Sequence, residues 1–169
     1  MRKTTFIYLS VFALAGLMLV QSCKKADDEP QEFIADNSSF SGFMGWSLDA
    51  TRLGADPALG GMAHGGNDST VTRNIYFKDG QNPVSGKYPV GTIVVKRSTS
   101  PGGLDEITAM VKRGGNFDSG SGDWEYFMLM PDGSIAEDNG MPMRGAMLMQ
   151  GMCKSCHGAA ASKDYIFTK

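Results

Sequence analysis

The chain has 169 residues, and removing an N-terminal segment of 22 leaves 147, the size of a single domain. With 41% hydrophobic and 20% charged residues it can build an ordinary core, and a formal net charge of −2 excludes the basic surface of a nucleic-acid binder. Its 22 glycines and 7 prolines, without a long amphipathic pattern, predict short strands joined by turns.

Residues 1–5 carry Arg2 and Lys3, and 6–20 is an uncharged apolar run of 15 residues, the plan of a secretory signal. As a helix this run would span roughly 22 Å, short of the ~30 Å hydrocarbon core of a bilayer. It ends in Val20-Gln21-Ser22-Cys23, which resembles a bacterial lipobox, so residues 1–22 read as a lipoprotein signal peptide and Cys23 as the lipidated residue. Ordinary cleavage, leaving Cys23 as a thiol, is the alternative. Residues 23–32, with Lys24 and Lys25 followed by Asp27, Asp28, Glu29 and Pro30, read as a polar tether, and the domain as 33–169. The expected location is exported and membrane-anchored, facing the periplasm or the cell surface.

In chain order, residues 40–53 predict a helix, and 71–78, 92–97, 104–113 and 124–130 predict strands separated by turn-rich stretches at 79–83, 101–103 and 131–133. Leu104, Ile107, Met110 and Val111 also fit a short helix. A second helix is expected over 141–153. The fold class is therefore mainly β, of the α+β kind: an antiparallel sheet with short helices. Strand period puts Thr92, Val94 and Lys96 on one face and Ile93 and Val95 on the other, so Lys96 is either an edge-guarding charge or a residue aimed at something.

Cys153-Lys154-Ser155-Cys156-His157 is a C-x-x-C-H motif, the attachment signature of a c-type haem. The two thiols add across the haem vinyl groups, and the adjacent imidazole becomes the axial iron ligand. A thioredoxin-like redox pair or half of a zinc site are the alternatives. The first lacks a preceding strand and a long following helix, and the second lacks another Cys/His pair. With Cys23 taking lipid and Cys153 and Cys156 one covalent haem, none of the three cysteines remains for a disulfide. His64, in GGMAHGG (60–66), and the methionines at 141, 143, 147, 149 and 152 are the available candidates for the sixth iron position, the methionines serving otherwise as packing around the porphyrin.

Three blocks in order, YPVGTIVVK (88–96), GDWEYF (122–127) and the C-x-x-C-H motif followed by DYIFT (164–168), resemble the family of cytochrome P-460 and the related cytochrome c-prime-beta. The resemblance implies a mainly antiparallel sheet, one haem c and a five-coordinate iron. It implies that Lys96 is the lysine bonded to the porphyrin in hydroxylamine-oxidising members, and that Arg73, in TRNIY (72–76), is a pocket arginine able to stabilise an anion or developing charge. Implied partners are hydroxylamine or nitric oxide, a redox partner protein and a membrane through the lipid anchor, with a homodimer as an option.

Oxidation of hydroxylamine sheds protons, and a carboxylate just upstream of the motif is the expected acceptor. Residues 141–156 contain neither Asp nor Glu. Two readings therefore stand: a hydroxylamine-oxidising enzyme, and a module that captures nitric oxide or passes electrons without turnover.

Overall fold

The computed structural model describes residues 31–54 and 69–167. The signal segment, Cys23 and His64 lie outside the described residues. Five strands form a continuous antiparallel meander: β1 (Ser47–Leu53), β2 (Thr72–Phe77), β3 (Ile93–Thr99), β4 (Asp105–Lys112) and β5 (Trp124–Leu129). After a small hairpin, β6 (Glu137–Asp138) with β7 (Met141–Pro142), the short β8 (Arg144–Gly145) adds to the edge at β5. One α-helix, α1 (Met152–Gly158), carries the C-x-x-C-H motif. The mainly β architecture is the one the turn spacing predicts. No helix among the described residues is long and apolar enough to cross a membrane.

Both faces of the meander are covered. Ile93 and Val95 of β3 point to a core with Ile107, Ala109, Val111, Phe127 and Leu129, closed by Ala35, Phe40 and Phe43 from the N-terminal segment. Val94 points the other way, to Ile75, Phe77, Met110, Trp124 and Tyr126, where Cys153 and Ile166 of the C-terminal segment close the layer. The alternation expected at 92–96 is thus realised, and each strand serves two cores. The 104–113 segment, whose apolar spacing also fitted a helix, is strand, because neighbours on both sides use its full ladder.

Two expected helices are not formed. Over 40–53, Phe40 and Phe43 have helical spacing, but the chain makes two 3-10 turns around a left-handed Gly42 (φ 67°) and then extends as β1. The i, i+3 pair buries both rings without an α-helix. Over 141–153, Pro142 cannot donate to a helix, and Met149, Gln150 and Gly151 have φ of 53°, 58° and 80°, so helix begins only at Met152. The methionine-rich stretch is apolar enough for a helix, but its backbone does not follow one. The chain also joins the body just ahead of Phe33, since Glu32 bridges to Gly114 and its carboxylate meets Arg113 at 2.8 Å.

That contact begins a chain of alternating charges, Glu32–Arg113–Glu125–Arg144. Glu125 on β5 is 2% exposed and is held bidentately by Arg144 at 2.7 and 2.8 Å. Arg144 also donates to the Ala35 carbonyl at 2.7 Å and lies over the Phe127 ring, fastening the N-terminal cover to the sheet edge. Removing one partner of such a pair strands a buried charge. Arg144→Met is expected to cost about 3 kcal/mol, read as a lower urea midpoint with an unchanged slope.

Candidate haem site

The seven residues of α1 place Cys153 and Cys156 one turn apart, and His157 lies one turn on from Cys153. Cys153 is buried against the sheet, Cys156 is half-buried, and the two are not joined to each other in a disulfide. Lys154, between the cysteines, lies 2.8 to 2.9 Å from both carboxylate oxygens of Asp118, which ties the helix to the turn preceding β5. Among the described residues the motif's helix is seven residues long and no strand leads directly into it, unlike a thioredoxin-like arrangement. Among the described residues, no three His, Cys, Asp or Glu side chains converge as a metal-ion site.

His157 is oriented through its Nδ1 atom and its ring contacts. Nδ1 lies 2.8 Å from the backbone carbonyl of Tyr165; a carbonyl only accepts, so Nδ1 carries the proton and Nε2 the lone pair. Its ring sits between Tyr126 and Phe167, with centroids 5.6 and 5.4 Å away. A second-shell acceptor of this kind fixes the tautomer an iron ligand needs.

The facing sheet surface collects most of the remaining candidates. Lys96 stands between Ile75 of β2 and Thr108 of β4. One rung further, Arg73, Ser98 and Glu106 are direct cross-strand neighbours; Arg73 is 4% exposed and the Glu106 Oε1 atom is buried. Burial pushes the Cys153 thiol up; its backbone hydrogen bond and the Lys96 charge oppose the rise, and Cys156 and Glu106 add to it. Lys96, Glu106 and Cys153 therefore share one electrostatic neighbourhood.

The hydroxyls on this face test whether haem fits. The Ser98 Oγ and Tyr126 Oη are buried with no hydrogen-bond partner. Burial, then Cys153, Tyr165 and Asp118, raises the Tyr126 phenol above its usual range. On Tyr88, whose Oη is likewise orphaned, burial followed by Asp49 and Asp164 pushes it up to about 12. A buried donor without an acceptor costs on the order of 1–3 kcal/mol. Such donors fit a group that brings acceptors of its own, as haem does with its propionates. Cys153, Cys156 and His157 supply the attachment and ligand chemistry, so this donor set fits haem.

The family model described as Cytochrome P460 matches residues 60–168. The chain belongs to the cytochrome P460 family. It is accordingly a haem-binding cytochrome, and the part of the chain matched runs through the sheet to the C-x-x-C-H helix. No curated protein and no solved structure matches it.

Of the residues singled out in the sequence, Arg73, Lys96, Cys153 and His157 are brought to one side of the cytochrome's sheet, with Cys156 beside them on α1. Met141, Met143, Met147 and Met149 line a shallow depression of about 660 Å³ together with Phe117. Glu106, Ser98 and Tyr126 were missed. Their signal was present, since residues 106, 108 and 110 alternate onto the same face as Lys96, but only the strand register reveals which residues become neighbours.

The Asp118–Lys154 tie is pH-dependent. The hydrogen bond from Lys154, with help from Ser121 and Gly120, holds the Asp118 carboxyl below the usual carboxylate range. A depressed folded pKa contributes stability that is present above the unfolded value of about 4 and lost as pH falls through the folded value. Asp118→Asn is expected to speed amide exchange across α1 several-fold at neutral pH. The two proteins should converge at acid pH below the depressed value.

Proposed function

We propose that this protein is an exported c-type cytochrome of the P460 type that takes hydroxylamine or nitric oxide at an open haem iron position. In this reading Cys153 and Cys156 attach one haem through thioethers, His157 ligates the iron, Lys96 is bonded to the porphyrin, and lipid on Cys23 holds the domain at a membrane. The observation that carries it is the register of β3, which sets Lys96 on the same face as Val94, the face against which Cys153 is buried.

Bound haem supplies an iron that accepts the ligand's nitrogen and passes electrons on to a redox partner protein. The chain's own residues do the rest. Arg73 holds a fixed positive charge on the buried face and stabilises an anion or developing negative charge there. Glu106 offers a carboxylate on the same rung, two residues along the strand from Thr108, Lys96's direct partner. It answers the missing acceptor upstream of the motif and favours the oxidising reading, because each electron drawn from hydroxylamine must be accompanied by a proton. Ile75, Val94 and Met110 keep the surroundings apolar and exclude water. That apolar lining is what favours the second reading, capture of nitric oxide without turnover.

Changing Cys153 and Cys156 together to Ala is expected to abolish haem retained after denaturing extraction. With wild-type protein, trypsin should release a haem peptide joining the β3 strand to the Cys153/Cys156 segment. Lys96→Leu should keep the thioether-bound haem, move the main absorption band toward that of an ordinary c-type haem, and abolish hydroxylamine oxidation. An identical spectrum in wild type and variant would refute the crosslink and leave the gas-binding reading.

A further inference from the structure

The C-terminal tail is fastened with more polar contacts than a cover strand requires. Asp164 is 6% exposed, and its carboxylate takes the Lys112 Nζ at 2.7 and 2.9 Å and the Tyr88 backbone N–H at 2.7 Å. Its backbone carbonyl accepts from Trp124 Nε1 at 2.8 Å, and the same Lys112 ammonium lies 5.3 Å above the Trp124 ring. Two strands and the Tyr88 turn thus converge on one residue.

That residue has an unusual backbone. Asp164 and Tyr165 have φ of 51° and 67°, two consecutive left-handed residues that are not glycine. A residue with a Cβ disfavours this region, and such residues persist where the surroundings over-determine them. The turn aims the Tyr165 carbonyl back at His157 Nδ1, 2.8 Å away. From the Lys112 ammonium to the histidine ring, every link is a short polar contact or a fixed peptide.

We propose that Asp164 is a positioning residue for the axial histidine: its buried pair with Lys112 holds the left-handed turn whose Tyr165 carbonyl accepts the His157 Nδ1 proton. The proposal rests on the reading of His157 as the iron ligand. A strong acceptor at Nδ1 makes the imidazole more basic, which favours the ferric state. Loosening the turn weakens that bond, so the midpoint potential rises and the iron–histidine bond softens.

The test uses the holoprotein with Asp164→Asn, and the double variant Lys112→Met with Asp164→Asn, which leaves no lysine charge stranded if the single variant folds poorly. In both, haem stays attached through the thioethers. The expected result is an upward shift of the midpoint potential and a downshift of the ferrous iron–histidine band in resonance Raman spectra. A purely structural role would lower the unfolding midpoint and move neither. A folded variant with wild-type potential and wild-type band overturns the proposal. Absence of an iron–histidine band in unmodified protein overturns the reading of an open iron held by His157 and the proposal that rests on it, whereas a band unmoved in the variants overturns the proposal alone.

Discussion

The pleat of β3 is the constraint on which the molecule turns. Because successive side chains leave opposite faces, Ile93 and Val95 lock the sheet to its N-terminal cover, while Val94 and Lys96 face the helix bearing the cysteines. A slip of one residue would exchange the two sets, putting a lysine among Phe40, Phe43 and Phe127 and turning Ile93 and Val95 toward the helix side. The buried aromatic cover and the position of the lysine are therefore specified by the same register. Function and fold cannot be tuned separately along this strand.

Much of this was legible from residue types. Four strands, the turns between them, the alternation at Lys96 and the pentapeptide at Cys153 all stand out because they rest on local period or on fixed spacing. The helices misread at 40–53 and 141–153 show the limit. Phe40 and Phe43 have helical spacing, yet a left-handed Gly42 lets two short turns bury both rings. The methionines before the motif gave an apolar count without a period, and three consecutive left-handed residues override it. What no single segment could disclose was cross-strand company. Glu106 acquires meaning only when register sets it opposite Ser98 and, through Ser98, in line with Arg73.

Two burial strategies meet across the sheet. On the N-terminal side, Glu125 is sealed with both oxygens bound to Arg144, so its charge is fully compensated within the protein. On the helix side, hydroxyls of Ser98, Tyr88 and Tyr126 are buried unsatisfied. The contrast separates a surface finished by the polypeptide from one whose buried donors fit a group that brings its own acceptors, and both lie within the matched residues.

The turn at 119–122 passes so close to the C-terminal segment that hydrogen atoms stand where side chains would. A methyl group on Gly122 would come within 2.5 Å of the Tyr165 ring, and one on Gly120 within 2.6 Å of the Lys154 Nζ. Lysine can swing aside, but the ring is held by a turn with no slack. A side chain at 122 is therefore opposed twice, by the Tyr165 ring and by a backbone φ of 60° that residues with a Cβ disfavour, so shrinking residue 165 alone would not release the position from glycine.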